Sequence, residues 1–174
     1  MEIRFLVPDL RALDGLTVEA LALPIFEDER PLRGAAGLCD WRLNGRLSKL
    51  LLRGRVRGVR GEHVLVPGRP RLPIDKIFLF GLGPRASFGE DAARAAIAEV
   101  LEVLDGVRAR TAAFVLPGRS LELLPPDRAI EILLEAGADR VVHDEMVLVD
   151  HLDAHRAMVP VLERAQRRAR AQEA

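Results

Sequence analysis

Three histidines and three aspartates near the carboxyl end of the sequence have the side-chain types that bind a transition metal. They are His143, Asp144, Asp150, His151, Asp153 and His155. His151 and His155 are four residues apart, so a helix would place them on one face, and His143 or Asp144 could supply a third ligand. The alternative is the solvated start of a helix, where carboxylates are favourable beside the positive end of the helix dipole. We favour the helix start, and we therefore expect no metal site and no cofactor.

Nucleophilic catalysis has few candidate residues in this chain. It contains one cysteine, Cys39, with three serines, two threonines and no tyrosine. A hydroxyl or thiol nucleophile needs an adjacent base, and none of these residues stands in a recognisable nucleophile motif. We therefore expect a protein that is not an enzyme, in which Cys39 is a small buried apolar residue.

The segment Gly81-Leu82-Gly83 follows an apolar run and precedes a helix, a geometry that can present N–H groups to a phosphate. It lacks the third glycine of a dinucleotide-binding motif, and no lysine follows it as in a phosphate-binding P-loop. Ser87 and Glu90 have the spacing of a capping box, which predicts that Ser87 starts the helix. We favour a tight structural turn, and a ligand-binding loop that includes Ser87 is the alternative.

Basic side chains are concentrated in the middle of the sequence. Between Arg42 and Arg71 there are nine basic residues and one acidic residue, Glu62. The candidate patch is Arg42, Arg46, Lys49, Arg53, Arg55, Arg57 and Arg60. Such a patch can bind nucleic-acid phosphates, but Trp41 is the one aromatic residue close to it in the sequence. We favour a solvated helix face with salt bridges, and we expect Trp41 in the core.

The overall charge is balanced, with 26 basic and 26 acidic residues, which argues against a protein coated with basic charge for nucleic acid. An acidic stretch, Glu122–Asp153, holds nine acids and two arginines. It could pair with the basic stretch within one molecule or reciprocally between two copies. We slightly favour a homo-oligomer, and nucleic acid is the less favoured partner.

The length of 174 residues and the hydrophobic content of 49% predict one globular domain, residues 1–174. A single cysteine excludes an intrachain disulfide. No apolar run approaches the roughly 20 residues of a membrane span, and Met1–Arg4 lacks the pattern of a signal peptide. We therefore expect a cytoplasmic protein that does not enter a membrane.

Hydrophobic periodicity predicts alternating strands and helices. The predicted strands are Ile3–Val7, Leu16–Phe26, Lys76–Phe80, Thr111–Leu116 and Arg140–Val149, with a hairpin at Val56–Val66. The predicted helices are Leu43–Gly54, a helix from Ser87 to Gly106, Pro126–Gly137 and Asp153–Ala171, which Pro160 starts or kinks. This order predicts an α/β protein with a mixed, mostly parallel central sheet flanked by helices.

The order of motifs resembles a known family. Leu23-Pro24-Ile25-Phe26-Glu27-Asp28 is followed by the Leu43–Gly54 helix, by Gly61-Glu62, by Lys76–Gly83 and by an alanine-rich helix. This order resembles the N-terminal domain of the leucyl (cytosol) aminopeptidases, the M17 peptidase family, most clearly over residues 16–116. The resemblance implies a macro-like, three-layer α/β fold.

The catalytic signatures of that family are missing. Its two metal ions and its catalytic lysine and arginine lie in a C-terminal domain marked by an Asn-Thr-Asp-Ala-Glu-Gly-Arg-type stretch. The single asparagine here, Asn44, is followed by Gly45, so that stretch is absent. The asparagine-rich loop of macro domains that bind ADP-ribose is missing as well. The resemblance therefore implies a non-catalytic relative that acts through a protein partner or itself. Nucleotide or nucleic-acid binding through Gly81–Gly83 or Arg42–Arg60 is the alternative.

Overall fold

The computed structural model describes residues 2–138 and 143–173, and six strands in these ranges form one sheet in the order β1-β6-β5-β2-β4-β3. The strands are β1 (Glu2–Leu6), β2 (Val18–Ile25), β3 (His63–Pro67), β4 (Ile74–Gly81), β5 (Thr111–Phe114) and β6 (Glu145–Val149). All neighbouring strands are parallel except β3, which runs antiparallel to β4. The prediction of a mixed, mostly parallel sheet is confirmed.

Helices cover both faces of the sheet. They are α1 (Leu10–Asp14), α2 (Gly34–Arg42), α3 (Arg46–Leu52), α4 (Glu90–Gly106), α5 (Pro126–Gly137) and α6 (Leu152–Glu173). Leu21 and Leu23 of β2 face a core shared with α1, α2 and α3. Ala20 and Ala22 face the opposite way, into a core shared with α4, α5 and α6. β2 is buried on both faces, which fits its uninterrupted apolar run from Ala20 to Ile25, and the fold has the three layers that we predicted.

The predicted helix Leu43–Gly54 is wrong in its start, because the chain forms two helices here. Asn44 and Gly45 have φ values of 62° and 72°, which end α2 and turn the chain into α3. The Asp40 carboxylate accepts a hydrogen bond from the Ser48 N–H at 3.0 Å and another from the Ser48 hydroxyl. Leu43, Leu47 and Leu51 are buried across the break, so their regular spacing concealed it.

The predicted hairpin at Val56–Val66 is also wrong. The Glu62 carboxylate accepts hydrogen bonds from the N–H groups of Arg57 and Gly58, at 2.8 and 2.7 Å, and closes this segment into a turn. The chain then enters β3, which pairs with β4 rather than with the preceding residues. Gly58 and Gly61 mark the turn in the sequence, but the strand partner lies further along the chain.

Ser87 does not cap α4. It lies in a short 3-10 turn, Arg85–Ser87, where its hydroxyl donates to the Pro84 carbonyl at 3.2 Å, and Gly89 precedes the helix. The predicted end at Gly106 is confirmed, as are both ends of Pro126–Gly137.

The last predicted elements are confirmed in part. Pro160 lies inside α6 rather than at its start. The last strand begins at Glu145, and residues 139–142 of the predicted Arg140–Val149 strand lie outside the described residues. Among the helices that the structure describes, none is both long enough and apolar enough to cross a membrane.

Candidate functional site

The Gly81-Leu82-Gly83 turn lies at the end of β4 and has no N–H group left for a phosphate. Its three N–H groups donate to the main-chain carbonyls of Glu62, Ile25 and Gly58 at 2.8, 2.9 and 2.8 Å. A Cβ atom on Gly81 would overlap the Val59 carbonyl, so close packing of two chain segments explains this glycine. The geometry is that of the structural turn.

Arg60 holds the same turn from the side. Its guanidinium donates to the carbonyl of Ser87 at 2.7 Å, to the Ser87 hydroxyl at 3.2 Å and to the carbonyl of Leu82 at 3.3 Å. A cavity of about 280 Å³ lies beside the turn, and its lining includes the carboxylates of Asp91 and Glu99. Those acids do not favour an anion there, and ligand binding by this loop stays a prediction.

The crevice at the carboxyl ends of the parallel strands is the usual ligand site of an open α/β sheet where the strand order reverses. Here that point lies between β2 and β5, because the chain leaves β2 toward β4 and leaves β5 toward β6. The buried Glu29 carboxylate accepts hydrogen bonds from the N–H groups of Phe26 and Arg33 at 3.1 and 3.2 Å. Burial raises the pKa of Glu29, and the two N–H groups oppose that rise.

Aromatic rings fill the same edge of the sheet. The rings of Phe26 and Phe88 meet edge to face, with centroids 5.1 Å apart. Gly118, in the loop after β5, has a φ of 79°, and a side chain there would overlap the Phe88 ring. Phe88 therefore packs against the segment after β2, at Phe26, and against the loop after β5, at Gly118. These contacts lie at the point where a crevice would open.

A buried ion pair joins the loop after β5 to the start of α6. The Arg119 guanidinium donates to the Asp150 carboxylate at 2.7 Å and to the Leu124 carbonyl at 2.6 Å. The Asp150 and Arg119 side chains are 6% and 7% exposed. The sequence analysis did not predict this pair, because its two residues are 31 positions apart.

The histidines do not converge on a metal. His143 is buried, with Nδ1 2.6 Å from the Ala109 carbonyl and Nε2 2.9 Å from the Asp105 carboxylate. His155 packs its ring against Phe5 with centroids 4.9 Å apart, and burial lowers its pKa. Across residues 2–138 and 143–173, no three His, Cys, Asp or Glu side chains are placed to hold a metal ion.

The basic run separates into two groups. Arg42 makes two hydrogen bonds to Asp14, at 2.8 and 2.6 Å, Arg57 lies 3.5 Å from Glu62, and Arg60 holds the turn after β4. The other four side chains are exposed and make no ion pair with any residue that the structure describes. They are Arg46, Lys49, Arg53 and Arg55. Arg46, Lys49 and Arg53 are three and four residues apart, so they share one face of α3.

Trp41 is 72% exposed, so its predicted place in the core is wrong. The buried residues of α2 are Ala35, Ala36 and Cys39, and Trp41 falls on the other side of the helix. It lines an open groove of about 680 Å³ with Asp40, Asn44 and Arg71 among its neighbours. Cys39 is fully buried as predicted, and burial raises the pKa of its thiol to about 12.

An exposed side of α3 follows the groove. Gly45 lines the groove, and Lys49 and Leu52 follow it at spacings of four and three, on the same side of the helix. Leu52 is 85% exposed. We call this surface the α2–α3 face. It consists of Trp41, Arg46, Lys49, Leu52, Arg53 and Arg55. The basic run was the sequence signal for the charged residues of this face, and the leucine run 50–52 was the signal for Leu52, because three consecutive leucines cannot all lie on one buried stripe.

The acidic stretch has little unpaired charge. Six of its nine acids make ion pairs within the chain. They are Glu131, Glu135, Asp144, Glu145, Asp150 and Asp153. Asp139 and Arg140 lie outside the described residues. Charge matching between two copies would therefore bring the unpaired basic residues against an acidic stretch whose acids are mostly paired already. Self-association itself stays a prediction.

Solved structures with a similar fold include macrodomains. The chain superposes on a Trypanosoma brucei macrodomain in complex with ADP with a TM-score of 0.70 and 17% identity, covering 92% of this chain and 69% of that one. It superposes on a tomato leucine aminopeptidase variant with a TM-score of 0.63 and 16% identity, covering 95% of this chain and 36% of that one. At these identities the likeness concerns the fold.

Sequence comparison identifies relatives among the cytosol aminopeptidases. A probable cytosol aminopeptidase of Thermosynechococcus vestitus is 32% identical over 121 residues, which are 68% of this chain and 24% of the relative. The cytosol aminopeptidase of Pseudomonas aeruginosa is 28% identical over 135 residues, which are 78% of this chain and 27% of the relative. The chain thus spans about a quarter of these relatives. The sequence profile of the cytosol aminopeptidase family, N-terminal domain, matches residues 22–136, and the chain belongs to that family.

Proposed function

We propose that the chain is a non-catalytic binding module that docks an acidic protein partner through the α2–α3 face. The observation that carries the proposal is the 72% exposure of Trp41, the one tryptophan of the chain, in an open groove. Tryptophan and arginine are the residues most enriched among those that dominate binding energy at protein interfaces. Leu52 adds a second exposed apolar side chain.

The charge of the face defines the partner. Arg46, Lys49, Arg53 and Arg55 make no ion pair with any residue that the structure describes, so an acidic surface would gain charge-assisted contacts. A second copy of this chain is a poor partner, because most acids of its acidic stretch are already paired. The partner is therefore a different protein with a surface of net negative charge.

The absence of peptidase activity is the other half of the proposal. The chain spans about a quarter of its curated relatives, and it lacks the family's metal-binding and catalytic signatures. We expect no hydrolysis of leucine-p-nitroanilide in the presence of Zn²⁺ or Mn²⁺. Turnover above a mock-purified control that persists through a further purification step would contradict this expectation.

Site-specific photo-crosslinking tests the docking. The photoreactive residue p-benzoylphenylalanine replaces Trp41 in living cells of the natural host, and a control chain carries it at Leu65 of β3, which is 51% exposed. We expect one discrete crosslinked protein with an acidic surface from position 41 and none from position 65. Its capture should disappear in the background R46Q/R53Q/R55Q, which keeps the apolar groove but removes three positive charges.

The purified partner then decides the proposal. Its binding should change the fluorescence of Trp41 and should weaken as salt concentration rises, because rim charges are screened. The same band from both positions, a crosslink to a second copy, or a crosslink to nucleic acid would each overturn the proposal.

A nucleotide is the rival ligand, because the Trypanosoma brucei neighbour holds ADP. The bonded N–H groups of Gly81–Gly83 and the filled edge between β2 and β5 argue against it here. Ligands that bind only the folded state raise its melting temperature. We expect millimolar ADP and ADP-ribose to leave the melting temperature unchanged, and a concentration-dependent rise would favour the nucleotide.

A further inference from the structure

The groove beside Trp41 has two positively charged side chains next to it. Arg71 lines the groove, is exposed, and makes no ion pair with a residue that the structure describes. The Lys49 ammonium donates a hydrogen bond to the carbonyl of Asn44 at 3.4 Å, and Asn44 lines the groove as well. A neutral carbonyl does not cancel the charge of an ammonium, so neither cation is neutralised by a described residue.

The carboxylates near the groove are already bonded within the chain. Asp40 lines the groove, but its two oxygens accept hydrogen bonds from the N–H and the hydroxyl of Ser48. Arg42 donates two hydrogen bonds to the carboxylate of Asp14, at 2.8 and 2.6 Å. The two cations beside the groove are therefore available to an anion that comes from outside the chain.

The shape of the groove favours an extended segment over a flat folded surface. Its volume of about 680 Å³ is within the range of roughly 300–1,000 Å³ that is typical of clefts for drug-sized ligands. A flat surface would cover such an opening without filling it, whereas an extended chain can place one side chain inside it. The indole of Trp41 gives that side chain an apolar wall, against which an aromatic ring packs favourably.

A tryptophan with two cations also suits a nucleotide, but the surroundings of Trp41 favour a peptide. Single-stranded nucleic acid stacks successive bases on several rings, and Trp41 is the only aromatic residue among the described residues that line the groove. Leu52, on the same side of α3, is 85% exposed and offers a further apolar contact. A peptide side chain uses such a contact, whereas a phosphate backbone does not.

We propose that the groove binds an extended acidic segment of the partner, with an aromatic side chain against Trp41 and carboxylates on Lys49 and Arg71. This inference rests on the proposed function, because it names what the acidic partner inserts at the α2–α3 face, and it adds Arg71 to the contacting residues. The two proposals can fail separately. A folded acidic surface held only by the other arginines of that face would satisfy the docking proposal without an inserted segment.

Fluorescence anisotropy with labelled synthetic peptides tests the segment. The first probe is fluorescein-Asp-Glu-Asp-Phe-Asp-Glu-Asp with an amidated carboxyl end, and the second probe has alanine in place of phenylalanine. We expect the first probe to bind saturably at low salt. The alanine probe should bind about tenfold more weakly, because it leaves the indole uncovered. Trp41→Ala should bind both probes with the same reduced affinity.

The contribution of charge is tested with K49Q/R71Q, and R164Q/R167Q is the matched control. The control removes two exposed arginines that pair with no described residue, from α6 on the opposite face of the sheet. We expect K49Q/R71Q to bind the first probe at least about tenfold more weakly, since two charge-assisted contacts are lost. The control should bind it as the natural chain does. Circular dichroism establishes that all variants remain folded.

Five results would overturn the inference. They are no binding of the first probe at millimolar concentration, equal affinity of the natural chain for the two probes, and equal losses in the two charge variants. Tighter binding of a labelled ten-base oligothymidylate than of the first probe would overturn it in favour of nucleic acid. A partner that crosslinks at position 41 but binds K49Q/R71Q as tightly as the natural chain would overturn this inference and leave the docking proposal standing.

Discussion

The Arg119–Asp150 pair shows how a single buried charge constrains this chain at the residue scale. Removing one member of a buried pair leaves the other uncompensated and typically costs about 3–5 kcal/mol. We therefore expect Asp150→Ala to lower the free energy of unfolding, measured in urea, by about that amount. The double variant R119M/D150L removes both charges and should recover most of the loss. If D150A lost no more than the double variant, the pair would not be buried as described.

His155 gives the stability a dependence on pH. Burial lowers the pKa of His155, while Asp150 raises it and His151 lowers it less. Since the folded pKa lies below the unfolded value of about 6.5, the unfolded state binds more protons in mildly acidic solution. Stability from this residue is thus complete above the unfolded pKa and falls as the pH drops through it.

The corresponding variant is His155→Leu. We expect it to lose less stability than the natural chain between pH 7.5 and pH 5.5, measured by urea denaturation at each pH. The control His151→Gln removes the exposed neighbouring histidine and should keep most of the natural pH dependence, because His151 has the smallest of the three effects on the pKa of His155. If the stability of H155L changed with pH as much as that of the natural chain, a group other than His155 would cause the acid sensitivity.

Trp41 supplies a prediction of the opposite kind. Since its side chain is mostly exposed, Trp41→Ala should change the free energy of unfolding by no more than about 0.5 kcal/mol, as surface substitutions usually do. Urea denaturation measures this. A loss of several kcal/mol would mean that Trp41 serves the core, and the docking proposal would lose its main support.

At the scale of elements, the turn after β4 is set by close packing. An alanine at position 81 would overlap the Val59 carbonyl, and overpacking of this kind costs about 1–3 kcal/mol. Gly81→Ala should therefore lower the melting temperature. Gly106→Ala is the matched control, because nothing lies within 4 Å of its added carbon, and it should stabilise α4 by about 0.5–1 kcal/mol. Equal effects of the two substitutions would contradict the packing argument.

The elements also show what could be predicted from the sequence. The buried run of β2, the end of α4 at Gly106 and the start of α5 at Pro126 follow from local patterns of apolar residues, glycine and proline. The break at Asn44 and Gly45 was missed, because the leucine spacing continues across it. The hairpin was misassigned, because the local turn at Gly58–Gly61 does not determine the partner of β3. That strand pairs with β4, which comes later in the chain.

The candidate surface was predicted less well than the fold. The sequence located the basic run but could not separate paired from unpaired arginines. The partners Asp14 of Arg42 and Ser87 of Arg60 are 28 and 27 positions away. Trp41 was placed in the core, because tryptophan is usually buried and α2 was not predicted. Long-range contacts therefore decide which residues of a local motif remain available for binding.

At the scale of the whole molecule, two cores share one sheet. Buried residues of β2 belong to both cores, so neither layer of helices can unfold without exposing the strand between them. We expect a single calorimetric transition whose van't Hoff and calorimetric enthalpies agree. Two resolved transitions would contradict a single domain over residues 1–174.

The pairing of β1 with β6 has a consequence during synthesis. Glu2 lies opposite Glu145 and Leu6 lies opposite Val149, so β1 leaves the ribosome well before its partner strand β6 is synthesised. At 5–20 residues per second this wait is on the order of ten seconds. A nascent chain therefore carries an unpaired, partly apolar strand for most of its translation. The sheet is completed only when β6 pairs with β1, which makes β1 a natural point for chaperone engagement.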